Sequence, residues 1–126
     1  MHRYFIILGL VICLPLLAVV ETPIKTGFAR LQYDGGGDWY NDPEVLPNLA
    51  KYANLTMGTS FPLDQSVVKA SDPKLFDFPF LYLTGHGNIK FSEREVENLR
   101  TCMLRGGFFY AYDDYGMDES FRREIK

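Results

Sequence analysis

The hydrophobic pattern divides the chain in two. From Tyr4 to Val20 runs an uncharged, mostly apolar stretch of 17 residues rich in Ile, Leu and Val, preceded by Met1-His2-Arg3. A short positive start followed by such a run reads as a secretory signal, with a cleavage region near Ala18-Val19-Val20-Glu21. As a helix the run would span about 25 Å, short of a bilayer core of about 30 Å. Pro15 weakens the spanning reading further, so an uncleaved N-terminal membrane anchor is the second expectation for residues 1–20. Cys13 follows Leu10-Val11-Ile12 without the small residue that a lipoprotein cysteine would have before it.

Beyond residue 26 the pattern alternates between strand and helix. Phe28–Tyr33 reads as a strand, stopped by Asp34-Gly35-Gly36-Gly37-Asp38. A helix is expected from Asp42-Pro43, with Asp as N-cap and Pro in the first turn; Leu46, Leu49, Ala50 and Ala53 form its apolar face. Leu63–Ala70, centred on Val67-Val68, is expected as a short strand, and Ser71–Phe76 as a capped helical turn. Phe78–Thr84 is a nearly continuous apolar run, as in a strand buried on both faces of a parallel sheet, and it stops at Gly85-His86-Gly87-Asn88. Ser92 and Glu95 form a capping box, opening a helix with Val96, Leu99 and Met103 as its buried stripe and Cys102 beside it; Gly106-Gly107 closes it. Phe108–Tyr112 is expected as another buried strand ending in Asp113-Asp114, and a last helix as starting near Asp118 and running to Lys126.

Repeated β–α–β units imply a mostly parallel sheet with helices on both faces. Ligands of such sheets sit at the carboxyl ends of the strands. The segments leaving those ends, Asp34–Trp39, Gly85–Asn88 and Asp113–Gly116, carry the unusual residues of the chain.

Composition narrows the classes. The chain has 126 residues with 13 Lys and Arg against 16 Asp and Glu, a net charge of −3 and no cationic block, which excludes a basic nucleic-acid binder. Its 15% aromatic content excludes disorder, and its two Cys exclude a disulfide scaffold. Once residues 1–20 are removed, one cysteine, Cys102, and one histidine, His86, remain.

The strand and loop run Phe28–Trp39, then Phe80–Gly87, then Leu99-Arg100 with Gly106-Gly107 and Asp113-Asp114, resembles the DUF4159 family of bacterial domains of unknown function. The resemblance covers about residues 27–126. It implies a fold similar to the class I glutamine amidotransferase-like, flavodoxin-type three-layer sandwich. It also implies an exported context, and a C-terminal portion beyond Lys126, since members are typically longer. It supplies no established activity.

Amidotransferase chemistry needs a thiolate on a tight strand-to-helix turn, activated by a histidine. Cys102 falls inside a helix instead, and the turn after Phe108–Tyr112 carries Asp113-Asp114, so that activity is not expected. Gly35-Gly36-Gly37 lacks the Lys-Ser or Lys-Thr of a phosphate loop, and Asp34 and Asp38 would repel a phosphate. Trp39 lines either a pocket or the underside of its loop. The candidate ligand-binding set is Asp34, Gly35, Gly36, Gly37, Asp38, Trp39, Gly85, His86 and Gly87. The candidate catalytic or metal-ligating set is His86, Asp113 and Asp114; no spaced pair of histidines supports it, and no resident cofactor is expected.

The leading expectation is an exported, non-catalytic module that binds a ligand or protein partner in the cell envelope, periplasmic or membrane-anchored. It would touch the membrane only through residues 4–20 and would bind no nucleic acid. The alternative is a metal-assisted hydrolase using His86 with the Asp113/Asp114 and Asp34/Asp38 segments and a divalent ion.

Overall fold

A computed structural model describes residues 27–126. The expected signal or anchor at residues 1–20 lies outside the described residues. The elements in chain order are β1 (Phe28–Gln32), α1 (Val45–Met57), β2 (Ser66–Lys69), a 3-10 turn (Pro73–Asp77), β3 (Phe80–His86), α2 (Glu93–Leu104), β4 (Phe108–Tyr115) and α3 (Asp118–Glu124). The four strands form one all-parallel sheet in the order β2-β1-β3-β4.

This order explains the layering. The chain steps from β1 outward to β2, then returns past β1 to β3 and on to β4. With right-handed crossovers, steps in opposite directions put their helices on opposite faces. Alternation along the strands agrees. Ala29 and Leu31 of β1, Leu81 and Leu83 of β3, Leu99 and Cys102 of α2, and Met117 share one core. Arg30 and Tyr82 point to the other face, where α1 buries Leu46, Ala50 and Ala53. The result is a three-layer α/β sandwich, with its strand-order reversal between β1 and β3.

Local chemistry sets the boundaries. Ser92 Oγ accepts from Glu95 N while Glu95 Oε2 accepts from Ser92 N, so the capping box forms and α2 starts where expected. Asp72 Oδ1 accepts from Lys74 N at 2.8 Å and opens the 3-10 turn with Pro73.

Several expectations are corrected. Asp42 is not the N-cap of α1: it has φ 52°, its carbonyl is taken by Arg30, and the helix begins at Val45. Leu49 and Met103 are exposed, because the buried stripes are narrower than the sequence spacing predicts. β3 is displaced two residues forward and carries His86 on the strand itself. β4 is not buried on both faces. As the edge strand it shows alternating exposure: Phe108, Tyr110 and Tyr112 are all open to solvent, and no helix among the described residues covers them. Tyr110 borders a groove of about 490 Å3 that Val45, Leu46, Leu49, Phe80 and Tyr82 also line. β4 also runs on to Tyr115, so Asp113 and Asp114 lie on the strand rather than after it.

Candidate functional site

The site is built at the carboxyl ends of β1 and β3, on either side of the strand-order reversal. In such sheets this is where connections part toward opposite faces; here the two segments first run side by side and form a closed polar rim. The segment after β1 runs antiparallel beside the segment after β3. Lys90 N donates to Asp34 O at 2.7 Å, Gly37 N to Asn88 O at 3.0 Å, and Asp38 N to His86 O at 3.3 Å. Asn88 Nδ2 adds a bond to Gly35 O at 3.1 Å. Two glycines make this approach possible. A Cβ at Gly37 would lie 2.8 Å from the carbonyl oxygens of both His86 and Asn88. At Gly85 the φ is +144°, and a Cβ would run into the Tyr33 hydroxyl.

This pairing delivers Asp38 to His86. One carboxylate oxygen of Asp38 accepts from the His86 backbone N–H, and the other lies 2.9 Å from His86 Nδ1. On the far side of the ring, Nε2 lies 3.1 Å from Asp114 Oδ2. The same Asp114 oxygen accepts from Asn41 Nδ2 at 2.6 Å. Asp114 reaches the ring because β4 bulges there: Gly85 pairs with Asp113 and His86 with Tyr115, so Asp114 has no register partner.

The electrostatics follow. The backbone N–H and then the ring of His86 hold the Asp38 carboxyl below the usual carboxylate range. Its hydrogen bond with Asp38 raises the His86 imidazole above its ordinary value against partial desolvation, and the charges of Asp38, Asp114 and Asp42 add to the rise. A neutral imidazole carries one N–H and one lone pair. A ring with a carboxylate at each nitrogen is fully satisfied only as the imidazolium, which has no lone pair for a metal ion or a substrate proton.

Beneath the rim Arg30 is 1% exposed. Its guanidinium donates to the carbonyls of Trp39 (3.0 Å), Asn41 and Asp42 (2.6 Å), and Nε donates to Gln65 Oε1 at 3.0 Å. Its carbon lies 5.4 Å from the Tyr82 ring centroid. Tyr33, whose hydroxyl donates to Thr84 O at 3.1 Å, has its phenol pushed up to about 12, first by burial and then by Asp38.

The structure therefore brings together Asp38, His86 and Asp114. It does not bring in the other carboxylates. Asp34 lies 3.6 Å from Lys69 Nζ, and Asp113 Oδ1 accepts from Met117 N at 2.9 Å at the start of α3. Gly87 O accepts from Ser120 Oγ at 3.2 Å, and Gly36 has open space around it. Trp39 packs against the core and meets Tyr40 edge to face, so it lies under its loop while Tyr40 is exposed. Cys102 is buried on α2 beside Gly107, near the start of β4 and away from the His86 end, and burial pushes its thiol up. Among the described residues no group of three or more His, Cys, Asp or Glu is placed to hold a metal ion.

Two organising residues escape a sequence reading. Arg30 announces itself only as a lone cation within the apolar run Phe28–Tyr33. Asn41 carries no signal at all, since its role depends on the β4 bulge.

An α/β sandwich with a polar, hydrogen-bonded rim at its strand-order reversal is the class of protein that fold and site define. Residues 27–126 match a family described as Domain of unknown function (DUF4159), and the chain belongs to that family. A comparison with curated proteins finds none that matches.

Proposed function

We propose that the chain is a binding module of the cell envelope whose acidic rim docks a cationic segment of a partner, with no chemistry of its own. The observation that carries this reading is the engagement of both His86 nitrogens by Asp38 and Asp114. In the imidazolium form that satisfies both contacts, the one histidine of the described residues has no lone pair to act as a base. Around it the edge remains acidic, with Asp42 and Asp113 exposed beside the coupled pair. Tyr40, Tyr112 and Tyr115 are exposed on segments that carry these residues. Carboxylates beside open aromatic faces are the chemistry that receives lysine or arginine side chains. Export is part of the proposal and rests on the apolar run at residues 4–20 behind Arg3. Among the described residues no helix is long and apolar enough to cross a membrane.

The test is an NMR titration of the isotopically labelled full chain with a short lysine- and arginine-rich peptide and with its glutamate-substituted counterpart. Shifts confined to residues 38–42 and 112–115, seen with the basic peptide and weakened by salt and by Tyr112→Ala, support the proposal. Equal response to both peptides, or none to either, overturns it. The metal-hydrolase alternative is tested separately by melting with and without EDTA. An unchanged melting temperature is the expected result.

A further inference from the structure

We propose that the contact of His86 Nε2 with Asp114 is a proton-operated latch between the end of β3 and the bulge of β4. The proposal is independent of whether the edge binds a ligand. It rests on an asymmetry between the two sides of the ring. On the Nδ1 side, Asp38 holds both the ring and the backbone N–H of His86, and the Asp38 N–H returns a bond to the His86 carbonyl. Three contacts between two residues keep a proton on Nδ1 whatever the state of the ring. On the Nε2 side one contact stands alone, at 3.1 Å to Asp114 Oδ2.

The second proton therefore decides the Nε2 contact. With it, Nε2–H donates to Asp114. Without it, a ring lone pair faces a carboxylate oxygen at the same distance, and that pairing is repulsive. Asp114 is free to respond, because as the bulge residue it has no register partner. Its remaining partner is Asn41 Nδ2, on the same loop as Asp38.

No other charge is placed to substitute. From the β1–α1 loop the ring faces Asp38 and Asp42, and from β4 it faces Asp114, all acidic. Asp113 is engaged with Met117 N. Arg123 of α3 reaches Asn88 Oδ1 and Ile89 O. The Lys90 charge acts on Glu124. Tyr115, the register partner of His86, is widely exposed. Loss of the Nε2 proton thus frees the Asp114 side chain from the ring and loosens the bulge between Asp113 and Tyr115, which keep their register with Gly85 and His86.

The test is a pH titration of the uniformly 15N-labelled full chain, following the His86 ring nitrogens and the backbone amides together, with His2 assigned by substitution. Three results are expected. His86 titrates above the value of a free imidazole. At high pH its proton resides on Nδ1. The amides of Asp113–Gly116 and the Asn41 side-chain amide move with the His86 midpoint. In Asp114→Asn, whose amide serves either ring state, the His86 midpoint falls and the Asp113–Gly116 amides stop following it. In Asp38→Asn the preference for Nδ1 is lost. Amides at Asp113–Gly116 that ignore the His86 titration in the native chain overturn the latch. A high-pH ring protonated on Nε2 does the same, as does an Asp114→Asn midpoint equal to that of the native chain.

Discussion

Replacing Arg30 with methionine tests the claim that one buried cation organises the rim. The methionine keeps an unbranched apolar stem beside Tyr82 and removes only the guanidinium. Four acceptors lose their donor: Gln65 Oε1 and the carbonyls of Trp39, Asn41 and Asp42. A hydrogen bond to a charged group contributes about 1.5–3 kcal/mol, and a buried acceptor left without a donor costs about 1–3 kcal/mol. The sum overstates the effect, because Asp42 is exposed and its carbonyl can turn to water. A net loss of about 2–4 kcal/mol is the expected outcome. For a domain of this size about 4–8 °C accompanies each kcal/mol, so the melting temperature should fall by roughly 8–32 °C. The assay is thermal unfolding followed by circular dichroism on the native chain, Arg30→Met and Arg30→Lys. Lysine keeps the charge but not the planar fork, so it should fall between the other two. The Asn41 side-chain amide should also lose its downfield position in Arg30→Met, since Arg30 holds the loop that presents it to Asp114. A melting temperature within about 3 °C of the native value would refute the reasoning, since that is the range of an ordinary surface substitution.

Three further outcomes are expected. Ser92→Ala removes one half of the capping box on α2 and should lower stability by about 1 kcal/mol in urea unfolding, with Ser92→Asp close to native. Gly37→Ala, at a position of ordinary backbone dihedral, should disrupt the pairing of the two rim segments purely by crowding the His86 and Asn88 carbonyls, and faster amide exchange at Gly37 and Asp38 should report it. The coupled pair sets a pH window. The folded His86 value is raised, so its contribution is complete below the unfolded value of about 6.5 and is lost as pH rises through the folded one. The folded Asp38 value is lowered, so its contribution is complete above the unfolded value of about 3.9 and is lost as pH falls through the folded one. The difference in melting temperature between the native chain and His86→Gln should therefore be greatest between about pH 4 and pH 6.5. A difference that keeps growing toward pH 9 would contradict the assignment.

The sequence carried the elements well and the contacts poorly, for a physical reason. Period and caps are local: the apolar run before Gly85, the Ser92–Glu95 box and Asp72-Pro73 each specify their element from a few neighbours. The rim depends on registry between strands far apart in the chain. Asp113 and Asp114 are adjacent and chemically identical in the sequence, yet only the bulge at Gly85/His86 turns Asp114 to the ring and leaves Asp113 to Met117. Asp34 and Asp38 flank the glycines symmetrically, but the antiparallel run of 34–38 against 86–90 brings only Asp38 to His86. Likewise the aromatic alternation of β4 matches a buried strand until its edge position is known.

The strand-order reversal explains why the polar groups gather where they do. In a parallel ladder the backbone bonds tie β1 to β3 only as far as the strands themselves extend; register pairing between them ends at Arg30 and Tyr82. Beyond that point the parallel ladder gives way to three backbone bonds between residues 34–38 and 86–90. Side chains extend this bracing along the rim: Arg30 from below on the Trp39–Asp42 carbonyls, Asp38 to His86, and His86 and Asn41 sideways to Asp114. Each link joins a different pair of elements, so none duplicates another. Of these links, the one between His86 Nε2 and Asp114 relies on a proton that the ring gives up as pH rises. The brace that closes the rim is therefore also the part of it that solvent acidity can open.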